Sequence, residues 1–281
     1  MNRLLDKRQL APEVFRLEVE APRIRKRWKA GQFVIIRPLT DSERIPLTLV
    51  DSSAERGSVT LVIQAVGKTT REAVSLNVGD CLADMVGPLG EPASLCENQR
   101  VVCLAGGVGV AEVLPVVKAF RDRGNHVTAL CGARSDAYRI LDAELQEVAD
   151  VLEWATDDGT YGFHGNVLQL MQARYGPGAF DIGHVIGPIP MMKAVAAATR
   201  DWKMKMYASL NPVMIDGTGM CGGCRVTVGK EVKFACVDGP EFDAHLVDFD
   251  ELARRNRAYR EQEQVALAQL ECRAAGNPAN V

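Results

Sequence analysis

The stretch Asp216-Gly217-Thr218-Gly219-Met220-Cys221-Gly222-Gly223-Cys224, closed by Cys236, gathers the side chains of this chain best suited to hold a metal centre. Its thiols are spaced C-x2-C-x11-C, and three thiolates need a further ligand. A plant-type [2Fe–2S] site runs C-x4-C-x2-C…C. Counting back across four residues from Cys221 reaches Asp216, so the register fits, with a carboxylate in the place of the first thiolate. Gly217, Gly219, Gly222 and Gly223 suit a loop that turns sharply and aims amides at sulfur. Two other readings stay open at this point. Zinc accepts three cysteines and an aspartate, and Asp216-Gly217 is also an ordinary turn pair. A thioredoxin-like redox pair expects a helix directly after C-x-x-C, whereas Arg225-Val226-Thr227-Val228 reads as a strand. Cys81, Cys96, Cys103, Cys131 and Cys272 are rival ligands, but each lies far away along the chain. Four of them sit on apolar runs or near strand ends, where buried thiols are usual.

Two further segments carry phosphate-binding chemistry. Ala105-Gly106-Gly107-Val108-Gly109-Val110-Ala111 lies between a strand pattern and a helix pattern. Glycines there let backbone approach a pyrophosphate, and a helix N-terminus favours its charge. The segment is not G-x-G-x-x-G, so the ordinary dinucleotide fingerprint is absent. Arg44-Ile45-Pro46-Leu47-Thr48 pairs an arginine, able to fork onto phosphate, with a hydrophobe and a hydroxyl on a strand. Taken alone, it is equally an exposed arginine followed by an ordinary strand.

The elements that must position these groups fall into successive patterns. Val14–Glu20, Gln32–Arg37 and Ser58–Ile63 alternate apolar and polar residues, with turn signals at Ala30-Gly31, Pro38, Arg56-Gly57 and Val78-Gly79-Asp80. They predict an antiparallel barrel from Val14 to about Val86, with a short helix over Thr69–Leu76 capped by Thr69 or Thr70. From about Cys96 strand and helix alternate. Strands are expected at Arg100–Ala105, His126–Cys131, Val151–Ala155, Asp181–Ile186 and Lys205–Leu210, the last of them ending the sheet. Helices are expected at Val110–Arg123, Tyr138–Val148, Asn166–Tyr175 and Met191–Trp202. Such alternation implies a doubly wound parallel sheet. A hairpin turning at Gly229-Lys230 then links Cys224 to Cys236. From Phe249 the sequence is helical and charged, suited either to a solvated helix or to packing on a partner subunit. The fold class is therefore β plus α/β, with domains at 1–96, 97–210 and 211–248 and a helical tail at 249–281.

A length of 281 residues accommodates two domains and an appendage. The net charge of −3 gives no reason to expect nucleic acid or an anionic membrane as partner. No apolar run is long enough to cross a bilayer, and Met1–Lys7 lacks a signal-peptide core. Eight cysteines without such a leader point to a reducing, cytoplasmic setting.

In their joint order these motifs resemble the ferredoxin–NADP reductase superfamily, over about Val14 to Asp248. Arg44-Ile45-Pro46-Leu47-Thr48 is similar to that family's flavin motif, with proline and leucine in the aromatic place. Val66-Gly67-Lys68-Thr69-Thr70 resembles its flavin-pyrophosphate loop, and Gly87-Pro88-Leu89-Gly90 the segment closing the barrel. Gly106-Gly107-Val108-Gly109 resembles its nicotinamide-nucleotide loop. Thr156-Asp157-Asp158-Gly159-Thr160-Tyr161-Gly162 and Ile186-Gly187-Pro188-Ile189-Pro190-Met191-Met192 resemble two more segments of that site. A C-terminal [2Fe–2S] loop marks the branch of dihydroorotate dehydrogenase electron-transfer subunits, which usually shows four cysteines. Asp216, with Phe234–Asp243, is more similar to the small subunits of NADH-dependent reduced ferredoxin:NADP+ oxidoreductases, also described as sulfide dehydrogenase subunits.

The resemblance implies a flavin and iron–sulfur oxidoreductase subunit, with FAD on the barrel and NAD(H) on the parallel sheet. It implies a [2Fe–2S] cluster on Asp216, Cys221, Cys224 and Cys236, and a heterodimer with a larger flavin and iron–sulfur subunit that deals with ferredoxin in turn. Electron bifurcation is the implied activity; the electron-transfer subunit of dihydroorotate dehydrogenase or sulfide dehydrogenase is the alternative. NADP(H) stays open, because Arg134 and Ser135 suit a 2′-phosphate and Asp136 does not. The path requires no general base or nucleophile, so no catalytic side chain is assigned.

Overall fold

The computed structural model describes residues 2–274. Its first unit is a six-stranded antiparallel barrel of β1 (Leu4–Ala11), β2 (Val14–Glu20), β3 (Phe33–Arg37), β4 (Ile45–Ser53), β5 (Ser58–Gln64) and β6 (Asp84–Leu89), ordered β1-β2-β5-β4-β3-β6. The short α1 (Pro22–Arg25) follows β2, and α2 (Lys68–Ser75) follows β5. The sheet closes where Leu4 N–H and Leu82 N–H donate to Asp80 O and Asn2 O, beside an Arg3–Cys81 bridge. Alternation works as expected: Leu17, Val19, Val34, Ile36, Leu49, Val59, Leu61 and Ile63 point inward and fill the barrel. β1 lies upstream of the predicted start and completes the sheet. The N-cap of α2 is Gly67, not Thr69 or Thr70 as expected. Thr70, in the first helical turn, accepts from Gly67 N–H at 2.9 Å and donates to Gly67 O, so it closes the cap from inside the helix.

The second unit is a sheet flanked by helices. Its elements are β7 (Arg100–Gly106), α3 (Gly109–Arg121), β8 (His126–Ala133), α4 (Asp142–Val148), β9 (Val151–Thr156), β10 (Phe163–His164), α5 (Val167–Arg174), β11 (Ile182–Ile186), α6 (Ile189–Thr199) and β12 (Lys205–Ser209). The strands run parallel in the order β10-β9-β8-β7-β11-β12. The order reverses between β7 and β11, and α/β sheets bind ligands at such a point. The expected helix Tyr138–Val148 splits, because Leu141 has φ 56° and ends a short turn before α4 begins. Lys205–Leu210 is not the outermost strand. β13 (Arg225–Val228) and β14 (Glu231–Phe234) form the expected hairpin, and β15 (Glu241–Asp243) then pairs antiparallel with β12. This covers an edge that would otherwise expose unpaired amides. Three residues are too few for a strand to announce itself by periodicity.

α7 (Phe249–Asn256) and α8 (Arg260–Ala274) end the described chain. α7 buries Phe249 and Leu252, and Asp248 caps it through Glu251 N–H. α8 lies on α2, where Arg71 meets Glu271 at 2.8 Å. Residues 275–281 of the predicted tail lie outside the described residues. The units share cores. Ala11, Val14, Val50 and Val62 of the barrel pack with α3, while Phe33 and Ile35 join the core around Cys224 and Cys236. No described helix is long and apolar enough to cross a membrane.

Candidate functional site

Two cavities meet where the barrel faces the carboxyl ends of the parallel strands. The larger, of about 470 Å³, sits at the switch between β7 and β11. Gly106, Gly107, Val108 and Gly109 line it from the β7–α3 turn, and Gly187, Pro188 and Met191 from the start of α6. Asp157, Arg134 and Tyr138 complete its far side. Gly107 has φ +59°, and a side chain there would point into open space. That backbone conformation suits glycine and leaves the helix end accessible to an anion. Arg134 lies over the Tyr138 ring, 4.8 Å from its centroid. Asp158, predicted beside Asp157, does not line the cavity; it accepts from the N–H and hydroxyl of Thr160 and holds the turn.

The smaller cavity, about 250 Å³, lies against the barrel. Pro46, Leu47 and Thr48 of β4 wall it, with Phe33, Val66 and Thr70. Its opposite wall is Leu210, Asn211, Met214 and Pro240, from the cysteine-bearing segment. A mostly apolar pocket lined also by the hydroxyls of Thr48, Thr70 and Ser209 suits a planar ring such as an isoalloxazine. Arg44 lines neither cavity and pairs with Asp84 at 2.8 Å. Gly67 and Thr69 belong to the neighbouring turn and first helical residues of α2, Thr69 being buried. The cavities share Gln64, Val108, Glu112, Ser209 and Asn211.

Glu112 is a residue that the sequence patterns missed. It faces both cavities from α3, and burial there pushes its carboxyl up to about 7 against the opposing hydrogen bond of Thr48. Its signal in the sequence is one acid in the otherwise apolar run Val108–Val117.

The cysteine loop packs on the barrel. Gly217 has φ +84°, and a Cβ there would strike Leu89 at 2.7 Å and Ile35 at 2.9 Å. Glu91 N–H donates to Gly239 O at 2.6 Å, tying the other end of the segment to the chain leaving β6. The sulfurs of Cys224 and Cys236 stand 3.2 Å apart, both buried, and Cys236 N–H points at Cys224 Sγ at 3.5 Å. Burial, then the adjacent Cys224 thiol, push the Cys236 thiol up to about 12. Cys221 is exposed at the loop surface. Asp216 does not converge on them as the side chains stand. Its Oδ2 accepts from Thr218 N–H, Thr218 hydroxyl and Met220 N–H at 3.0, 2.7 and 3.1 Å. Those bonds, the Thr218 hydroxyl first, hold its carboxyl below the usual range. Among the described residues no group of three or more His, Cys, Asp or Glu is already arranged around a metal point. The donor set still fits iron. Two crowded thiols with an amide aimed at sulfur, plus a third thiol and an ionised carboxylate on the same loop, are stabilised by a cation. Arg255 of α7 braces the loop by donating to Gly223 O at 3.1 Å and Gly222 O at 3.4 Å. Cys103 and Cys131 lie inside β7 and β8, and Cys81 and Cys272 are exposed elsewhere.

Residues 211–248 match the family model described as the iron–sulfur cluster binding domain of dihydroorotate dehydrogenase B. A dihydroorotate dehydrogenase B (NAD(+)) electron transfer subunit homolog of Thermotoga maritima is 43% identical over 266 residues, covering 95% of this chain and 94% of that one. The corresponding electron transfer subunit of Desulforamulus reducens is 30% identical, covering 85% and 94%. A chain in a structure of NADH-dependent reduced ferredoxin-NADP oxidoreductase, studied for flavin-based electron bifurcation, superposes with TM-score 0.90 at 42% identity. That match covers 96% of this chain and 97% of the other. The fold, a ferredoxin-reductase-like barrel and parallel sheet with an iron–sulfur segment behind them, agrees with these relatives. The chain belongs to the family of dihydroorotate dehydrogenase B electron-transfer subunits and their homologues.

Proposed function

We propose that this chain is the small subunit of an electron-bifurcating NADH-dependent ferredoxin:NADP+ oxidoreductase. On this reading it binds NAD(H) on the parallel sheet, FAD on the barrel and a [2Fe–2S] cluster in the loop 216–236. It exchanges electrons with a larger flavin and iron–sulfur subunit in the cytoplasm. The observation that carries the reading is the contact of the two cavities. The larger is lined by glycines at the sheet's switch point, the smaller is mostly apolar, and they share five lining residues. Part of the wall of the smaller cavity, Asn211, Met214 and Pro240, belongs to the cysteine-bearing segment, which supports a path from that cavity toward the cluster loop.

FAD would supply the conversion between two-electron and one-electron transfer. The chain's own residues do the rest. Pro46, Leu47 and Thr48 would hold the ring against β4, and Gly67, Thr69 and Thr70 would present the start of α2 to the pyrophosphate. Arg44 would reach a flavin phosphate by leaving Asp84, exchanging one carboxylate partner for a phosphate. Gly106, Gly107, Val108 and Gly109 would take the nucleotide pyrophosphate, with Asp157, Gly187, Pro188 and Met191 around the remainder. Cys221, Cys224, Cys236 and Asp216 would hold the iron. Asp216 would do so by giving up its bonds to Thr218 and Met220, which would leave those donors for cluster sulfur.

A second reading, the electron-transfer subunit of dihydroorotate dehydrogenase, draws on the names of the relatives. It shares every site within this chain and differs only in the partner. Asp216 in place of a cysteine favours the first. The test is anaerobic purification with flavin and metal analysis, followed by addition of NADH. One FAD and one two-iron cluster per chain, with bleaching of the flavin by NADH, are expected. Zinc without iron would overturn the reading. Co-purification from the native source then identifies the larger subunit.

A further inference from the structure

Resting on the proposed FAD and nicotinamide sites, a further role falls to Glu112. It is a carboxylate on the first turn of α3 and, among the described residues, forms no ion pair with an arginine or lysine. It lines both cavities, and Thr48, on the barrel wall, lines the smaller one with it. A half-buried carboxylate with no cationic partner costs stability and adds nothing to packing that an apolar residue would not. Neighbours on α3 at Val113, Val116 and Val117 show what a purely structural position contains.

We infer that Glu112 is the proton-holding residue of the junction between the two cavities. A hydride brings two electrons and one hydrogen nucleus to the flavin ring. Two successive one-electron transfers to the iron–sulfur cluster remove only the electrons. One proton per pair therefore remains and must find a base. The Glu112 carboxylate takes it, becoming a carboxylic acid, and passes it to water through the open larger cavity. In the reverse direction Glu112 returns the proton as two electrons arrive singly. A base for this task needs a proton affinity near the working pH, so that it both accepts and releases.

The other titratable groups on the surrounding elements have different employment. Arg134 stacks on Tyr138 at the far side of the larger cavity, and Asp157 lines that side also. Asp51 of β4 faces Arg16 at 3.8 Å. On α4, Asp142 accepts from Trp154 and Glu144 from Arg16. His184 of β11 pairs with Glu241, and the thiols of Cys103 and Cys131 on β7 and β8 are kept neutral by burial. Burial, opposed by Thr48, sets the Glu112 proton.

The experiment uses the full chain carrying FAD and iron, as wild type, Glu112→Gln and Glu112→Asp. Flavin and iron content are read first. Wild type without FAD would overturn the cofactor reading and this inference with it. With cofactors bound, flavin reduction by NADH and its reoxidation through the cluster are timed separately between pH 5.5 and 9. Reoxidation in Glu112→Gln should slow by about tenfold or more, while the Asp variant recovers part of the rate. The wild-type profile should bend near pH 7, where burial sets the Glu112 proton, and the Gln profile should lack that bend. Infrared difference spectra of the oxidised and reduced protein should show a carboxylic-acid band that moves in D2O and is missing from Glu112→Gln. A Gln variant that reoxidises within about twofold of wild type at every pH, with an unchanged carboxyl band, would overturn the inference and make solvent the proton acceptor.

Discussion

Asp216 and Glu112 are two acids whose neighbourhoods do opposite things. Hydrogen bonds from Thr218 and Met220 keep Asp216 ionised, while burial keeps Glu112 protonated to about 7. Asp216→Cys recreates C-x4-C-x2-C…C and should assemble a [2Fe–2S] cluster with a shifted midpoint potential, since ligand type sets potential. Asp216→Ala should lose iron or hold it weakly while FAD stays on the barrel. Redox titration with electron paramagnetic resonance on the three proteins decides this; identical signals and midpoints would make Asp216 a turn residue alone. Glu112 carries a stability signature of its own in the cofactor-free chain. Unfolded, its carboxyl releases the proton near its ordinary 4.5; folded, it keeps it to about 7. Between those values the folded state holds the extra proton, so stability is greatest on the acid side and falls as pH rises. The loss, complete above about pH 7, amounts to at most about 3 kcal/mol. Denaturant titrations should show Glu112→Gln gaining on wild type from pH 5 to 8; parallel curves would refute it.

At the scale of elements, the β7–α3 turn and the cysteine loop depend on glycine for different reasons. Gly107 has room for a side chain but the wrong φ for one, so Gly107→Val both strains the turn and fills the larger cavity. Strain of this kind costs about 1–3 kcal/mol. FAD and iron content should survive, while NADH no longer bleaches the flavin; stopped-flow absorbance reads both. Equal loss of cofactors and flavin reduction would mark misfolding instead. Gly217 has neither room nor ordinary φ, because Leu89 and Ile35 press on it. It joins the loop to β3 and β6 as a lock between units. His184 on β11 and Glu241 on β15 make a second lock, with Glu241 also accepting from Ser94 N–H at 2.7 Å. That buried pair holds the nucleotide sheet, the linker and the cysteine segment together, and no periodicity in the sequence signals it.

Across the whole molecule, the two C-terminal helices contribute unequally. α7 buries Phe249 and Leu252 and braces the loop through Arg255, whereas α8 rests on α2 with an exposed ion pair. Exposed pairs are worth about 0–1 kcal/mol. A chain ending at Ala258 should therefore keep FAD, iron and nearly the wild-type melting temperature. One ending at Asp248 should lose iron before FAD. Iron and flavin assays with calorimetry on both truncations check this; equal iron retention would show that α7 does not brace the loop. Of the charged tail from Phe249, read from the sequence as a solvated helix or a surface for a partner, α7 packs on its own chain and α8 stays largely exposed. Local patterns already determined the barrel, the alternating sheet, the hairpin at Gly229 and the C-x2-C-x11-C loop, because period and spacing are set by a strand, a helix or a ligand shell. What tertiary structure alone decided is which groups meet. β15 returns to cover β12, Thr48 of the barrel and Glu112 of the sheet domain come to line one cavity, and the thiols of Cys224 and Cys236 crowd against one another. Contacts of that kind join residues with no shared period, so packing between units, and not pattern within them, brings the cavities together.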